Sequence, residues 1–291
     1  MRGNSVTDSM QDCKYVDVHT HVNLAAFKDD HDEVTKHALL AGVAHINVGT
    51  QRDTSQAAVT LAERYEEGVY ATVGIHPVHT SKCFHDPKEL DSEPPADTKG
   101  FTSRGEQFDH DFYKTLALHE KVVAIGEVGL DFYRLDEDTV TAQKSAFVSQ
   151  IELANEVGKP LMLHIRSGSG ANAYRDAWEL VKDHAKVLGN VHFFAGNVED
   201  AKLFLDMGYT VSFTGVITFT HDYDEVVAYV PLDMLHAETD APYVTPAPHR
   251  GERNEPFHVQ EVVKKIAEIK NLDLETVRFQ LRENAKRMFG I

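Results

Sequence analysis

YVDVHTH, residues 15–21, decides how the rest of this chain reads. Side chains of an extended segment alternate between two faces, so Asp17, His19 and His21 share one side while Val16 and Val18 share the other. Two imidazoles therefore converge at i and i+2 on a short β-branched run. Working outward, seven further runs of the same kind follow: VAHINVG (43–49), VYATVGIH (69–76), VVAIGEVG (122–129), PLMLHIR (160–166), NVHFFAG (190–196), YTVSFTG (209–215) and MLHAETD (234–240). Six of the eight end in, or run into, a glycine that lets the chain turn out of the strand.

Between the runs, Thr54–Glu66, Thr139–Val157 and Ala171–Leu188 place apolar residues at intervals of three and four, as amphipathic helices do. Phe147, Ile151 and Ala154 form one such stripe. Eight strands alternating with helices over about 250 residues predict an α/β fold, a single-domain (β/α)8 TIM barrel; an open doubly wound sheet usually has fewer strands. A short polar extension, residues 1–14, precedes the barrel domain of residues 15–291, and a helical pair, Phe257–Lys270 and Leu274–Met288, closes it. The connection after the third strand, residues 79–108, is rich in Pro, Asp, Ser and Gly. It reads as a largely irregular insertion overhanging the active-site face.

Composition narrows the setting. With 42% apolar and 26% charged residues the chain is globular, and 29 Lys+Arg against 46 Asp+Glu leave a net charge of −17. So acidic a surface, without a basic track, is unsuited to coating a duplex. Cys13 and Cys83 have no CxxC spacing, which argues against a zinc ribbon or a disulfide framework. The polar N-terminus and the lack of any long apolar stretch predict a cytoplasmic protein with no membrane association and no obligate protein partner evident.

Chemistry concentrates at the strand ends. Glu127 ends the fourth strand, His164 the fifth and Asp240 the eighth, and His192 lies in the sixth. With His19 and His21 these six stand at or near carboxyl ends, where a barrel keeps its active site. Burying such groups is costly unless they are paired or bound to metal. Four imidazoles and two carboxylates exceed one tetrahedral centre, but they suit two divalent ions about 3.5–4 Å apart with a bridging carboxylate, for which Glu127 is the candidate.

Seven motifs in order carry a family resemblance: DVHTH (17–21), GIHP (74–77), GEVGLDF (126–132), LHIR (163–166), HFFAG (192–196), ETDAPY (238–243) and RGERNEP (250–256). Over residues 16–291 the chain resembles the TatD-like DNase family of metal-dependent hydrolases, within the amidohydrolase-like barrel group. The resemblance implies that His19, His21, Glu127 and Asp240 hold one ion while Glu127, His164 and His192 hold the other. Related barrels often bridge with a carbamylated Lys; Glu127 stands here instead. Phe193 and Ala195 depart from the family's sixth-strand pattern, which usually has a small thiol and a hydroxyl there.

The expected reaction is hydrolysis of phosphodiester bonds by metal-activated water, by a deoxyribonuclease of the 3′–5′ exonuclease type. DNA ends or short single-stranded nucleic acid are the expected substrate. Asp240 orients the water and takes its proton, Glu127 bridges, and Glu238 supports Asp240 from the same strand face. His76 and Arg166 resemble substrate-contact positions of the family. Arg250, in the loop after strand eight, faces the site as a third contact; Arg253 and Asn254 lie in the same loop, and Asn254 and Glu255 are equally readable as a structural network tying it to the last helices. The metals compatible with these donors are Zn, Mn, Ni, Fe or Mg. The competing expectation is a two-metal hydrolase of a non-nucleic-acid ester, lactone or amide.

Overall fold

A computed structural model describes residues 13–82, 84–85, 101–133, 137–168 and 170–291. The alternation in the first run is realised: Val16 and Val18 of β1 (Tyr15–Thr20) enter the apolar core, while Asp17, His19 and His21 are buried with other partners. Seven more barrel strands follow: β2 (Val43–Val48), β3 (Val69–Val73), β4 (Val122–Asp131), β5 (Leu161–Arg166), β6 (Gly189–Val191), β7 (Thr210–Phe213) and β8 (Leu235–Ala237). Each is paired in parallel with its neighbour in sequence, so chain order is sheet order, as in a (β/α)8 barrel.

The seam between β8 and β1 closes differently. Asp240 N–H donates to His19 O (2.9 Å), His21 N–H donates to Ala241 O (2.8 Å), and the Asp17 carboxylate accepts both N–H (2.9 Å) and Oγ1–H (2.5 Å) of Thr239. Burial pushes the Asp17 carboxyl well above its usual range, and the two bonds from Thr239, with a third from His19 N–H (3.3 Å), offset the cost of a polar group at this depth.

Around the strands lie α1 (His31–Leu40), α2 (Arg52–Ala62), α3 (His110–Ala117), α4 (Glu137–Val157), α5 (Ala173–His184), α6 (Val198–Leu205) and α7 (Asp224–Tyr229), then α8 (Val259–Lys270) and α9 (Leu274–Phe289). The stripe Phe147, Ile151 and Ala154 of α4 is fully buried, as its spacing predicts. Side-chain caps set several starts: Asn172 accepts from Arg175 N–H, Asn197 from Asp200 N–H, and Asp273 from Thr276 N–H. No helix among the described residues is long and apolar enough to cross a membrane.

Strand lengths differ from expectation where the site is built. β4 runs on to Asp131, and Gly129 lets it lie close to β5: at φ +145° a side chain there would strike His164 O. β6, β7 and β8 are shorter than their apolar runs, because the chain leaves the ladder early to form loops. Phe193 (φ +41°) and Asp240 (φ +55°) occupy left-handed backbone just beyond β6 and β8. The connection after β3 is not wholly irregular: Pro77–Thr80 forms a 3-10 turn, and Phe84–His85 pairs antiparallel with Phe101–Thr102. Most of the expected insertion between residues 79 and 108, and with it the expected overhang, falls outside the described residues, as does most of the polar extension, residues 1–14.

Candidate metal centre

β1 delivers His19 and His21 to the carboxyl face, with Nε2 atoms 3.1 Å apart. Glu127, near the end of β4, lies between two sets of rings. Its Oε2 is 3.5 Å from His19 Nε2 and 3.8 Å from His21 Nε2, whereas its Oε1 is 2.8 Å from His164 Nδ1 and 2.7 Å from His192 Nε2. Asp240 Oδ1 completes the first set, 3.6 Å from His19 Nε2 and 3.3 Å from His21 Nε2. The fold thus brings together all six residues singled out as ligands.

Hydrogen bonds outside the cluster determine which ring nitrogens face inward bare. His21 Nδ1 lies 3.0 Å from Val48 O, an acceptor only, so Nδ1 carries the proton and Nε2 presents its lone pair to the centre. His164 Nε2 lies 3.0 Å from Asp131 Oδ2, so Nδ1 faces Glu127 without a proton in the neutral ring. Lone pairs and carboxylate oxygens in contact repel unless positive charge lies among them. A divalent cation meets that need, and imidazole and carboxylate are its usual ligands. Electrostatics point the same way: burial would raise the Glu127 carboxyl, but His76, His192 and His19 hold it well below its usual range. Burial opposes charging His192, yet Glu127 and Glu238 raise it well above an ordinary imidazole.

His76 is placed differently from the other rings. Its Nε2 is 3.2 Å from Glu127 Oε1, close enough to group it with Glu127 and His164 around one ion. However, His76 Nδ1 accepts Val78 N–H (3.1 Å), so the neutral ring carries its proton on Nε2. Burial and the neighbouring His164 push its pKa down to about 4, keeping the ring neutral at pH 7. His76 is therefore a hydrogen-bond donor at the rim of the cluster, which agrees with its reading as an oxygen contact better than with ligation.

Glu238, expected to support Asp240 from the same strand face, has its hydrogen bonds elsewhere. Fully buried, it turns to the β6 side, where Oε1 accepts Phe193 N–H (2.5 Å) and lies 3.5 Å from His192 Nδ1. Below it runs a polar ladder that sequence reading missed. Ser212 Oγ donates to Glu238 Oε2 (2.6 Å), Asn190 Nδ2 to Ser212 Oγ (2.7 Å), and Thr210 Oγ1 to Asn190 Oδ1 (3.0 Å); His236 Nε2 lies 3.0 Å from Thr210 Oγ1.

Of the remaining candidates, Arg166 stacks on Tyr133 (4.0 Å) and Arg250 on Phe219 (4.1 Å), both at the mouth. Arg250 Nη1 also donates to Thr245 O. Arg253 is a tether, bound to Asp30 through both nitrogens and to Ala26 O. Asn254, fully buried, donates to Thr239 O and Tyr243 O and so braces the loop after β8.

A parallel eight-stranded barrel with clustered imidazoles and carboxylates at its carboxyl face is the architecture of a metal-dependent hydrolase. The chain belongs to the TatD family: the family described as TatD related DNase matches residues 16–290. It is 37% identical over 280 residues to YabD of Bacillus subtilis, an uncharacterized metal-dependent hydrolase, covering 94% of this chain and 98% of that one. It is 32% identical over 285 residues to TatD of Mycobacterium tuberculosis, described in the same words, covering 95% and 98%. Among solved structures it is similar to YjjV, a TatD homolog of Escherichia coli K12, with a TM-score of 0.77 and 25% identity over 96% of this chain and 99% of that one.

Proposed function

We propose that this protein is a two-metal deoxyribonuclease that hydrolyses phosphodiester bonds at DNA ends or in short single strands, in the 3′–5′ direction. The observation that supports this most is the two-sided placement of Glu127, one oxygen toward His19 and His21 and the other toward His164 and His192. The family description of a DNase supports the substrate class.

When bound, two divalent ions would supply activation of water and neutralise charge on the non-bridging phosphate oxygens. His19, His21, Glu127 and Asp240 would hold one, and Glu127, His164 and His192 the other. Of the buried acids, Asp240 retains 13% side-chain exposure whereas Glu238 has none, so Asp240 is the carboxylate that substrate water can reach. Asp240 accepts the water's proton as oxygen attacks phosphorus and the P–O ester bond breaks. His76 Nε2–H donates to a phosphate oxygen, and Arg166 and Arg250 neutralise phosphates at the rim. Glu238 holds His192 in orientation and leaves proton transfer to Asp240.

The test is hydrolysis of 5′- and 3′-labelled oligonucleotides by metal-stripped protein with Zn, Mn, Ni, Fe or Mg restored in turn, beside a panel of small esters, lactones and amides. Shortening of single strands from the 3′ end supports the proposal. Turnover confined to the small panel overturns it in favour of a non-nucleic-acid hydrolase.

A further inference from the structure

Among the described residues most large aromatics are buried or half-buried, but Tyr133 is 50% exposed and Phe219 is 42% exposed, and both stand at the barrel mouth. Two others of comparable exposure, Tyr229 and Phe279, lie on the outer helices α7 and α9. The mouth pair differs from them in being tied to the site. Tyr133 N–H donates to Asp131 Oδ1 (2.9 Å) while Asp131 Oδ2 holds His164, so one carboxylate sets the backbone carrying the ring relative to the candidate metal centre. Phe219 follows a 3-10 turn, Gly215–Thr218, whose Thr218 Oγ1 accepts Ala247 N–H (2.8 Å) and joins the loops after β7 and β8. Each ring carries a guanidinium on one face, Arg166 on Tyr133 and Arg250 on Phe219. In a chain of net charge −17, the mouth thus holds two flat apolar surfaces, each beside a fixed positive charge.

That combination suits a polymer with a planar base and a negative phosphate in each unit. Stacking on an aromatic ring tolerates any base, and an adjacent arginine meets the backbone. We propose that Tyr133 and Phe219 are base-stacking platforms that hold the nucleobases flanking the phosphate at the metal centre, which makes single-stranded nucleic acid the preferred substrate over duplex. This rests on the nuclease reading above. In a duplex the base faces are covered by their neighbours, so a platform engages only a frayed or unpaired strand.

The experiment compares full-length, metal-loaded wild type with Tyr133→Ala, Phe219→Ala and Tyr133→Phe. The substrates are a short 5′-labelled DNA strand and the same strand with its 3′-terminal bases replaced by the stable abasic tetrahydrofuran sugar. Each Ala variant is expected to raise KM on the natural strand about 5- to 100-fold. Base removal should raise the wild-type KM by a similar factor, and the Ala variants should differ from wild type by less than about twofold on the abasic strand, because the same contact is already gone. Tyr133→Phe keeps the ring and should restore the wild-type KM. Equal losses on both strands, or an unchanged KM on the natural one, overturn the platforms while leaving the nuclease reading intact. Failure of metal-loaded wild type to hydrolyse either strand overturns both.

Discussion

Asp131 Oδ2 lies 3.0 Å from His164 Nε2, on the far side of the imidazole from Glu127, whose Oε1 is 2.8 Å from His164 Nδ1. A carboxylate in that position keeps the outer nitrogen protonated and the inner one available to an ion. Despite burial, His164 holds the Asp131 carboxyl down to about 2, so it stays ionised under all ordinary conditions. Asp131→Ala should therefore weaken metal binding about 10- to 100-fold. Competition with a chromogenic chelator measures this, and wild-type affinity in the variant would show that His164 needs no such support.

Glu127→Gln removes one of the two carboxylate oxygens that face separate ring pairs. Metal content should fall in both sets together, before any change in helix content. Elemental analysis after dialysis decides the point, and a full complement of metal would exclude a bridging role.

Asp240→Asn should keep the fold and lower hydrolysis by at least about 100-fold. The native backbone is left-handed there, φ +55°, and Asn is among the few residues that tolerate that region. Near-normal turnover in a metal-loaded variant with wild-type circular dichroism would remove Asp240 from proton transfer.

Ser212→Ala should cost about 1–3 kcal/mol of stability, because it takes the donor from the fully buried Glu238 Oε2 and the oxygen acceptor from Asn190 Nδ2. Adding Asn190→Leu should cost less than the sum of the two changes, since both break one network. Urea unfolding of the four proteins gives the coupling, and strict additivity would mean that the ladder is not one unit.

His45, fully buried on β2, has its pKa pushed down to about 4 by burial. The folded pKa lies below the unfolded one, near 6.5, so the unfolded chain binds the proton more readily and stability falls as pH drops from about 6.5 to about 4. This group alone should remove about 2 kcal/mol between pH 7 and pH 5. His45→Leu should lack that part of the slope. Parallel urea titrations of the metal-free proteins at both pH values test it, and identical slopes would count against His45 titrating.

The order and type of the barrel elements were legible because short apolar, β-branched runs recur between longer segments with apolar residues at intervals of three and four. The six clustered donors followed from their strand-end positions alone. Other contacts depend on what lies opposite: Asp17 looked like a third member of the His19 and His21 face, yet its partner Thr239 is 222 residues distant. Glu238 and Asp240 read as one strand face, but the chain leaves β8 at Ala237 and turns left-handed at Asp240; Glu238 bonds Phe193 N–H and Ser212 while Asp240 faces His19 and His21. A usable signal for the ladder was present: Asn190, Thr210 and His236 each stand two residues before His192, Ser212 and Glu238, so polar residues repeat on one face of three neighbouring apolar runs. Asp131 likewise stands two and four residues beyond Gly129 and Glu127. The expected strand stopped short of it, and so its role was missed.

The seam between β8 and β1 sets the circumference of the barrel with two backbone bonds and one buried carboxylate, where the other joins carry strand ladders. His21 and Asp240 stand on opposite sides of that seam, 3.3 Å apart. Any ion gripping both acts as a rivet across the joint, adding to stability in proportion to the logarithm of its concentration over its dissociation constant. The residues that equip this molecule for chemistry are then also the clasp of its hoop, and metal withdrawal loosens the architecture at the place where catalysis would occur.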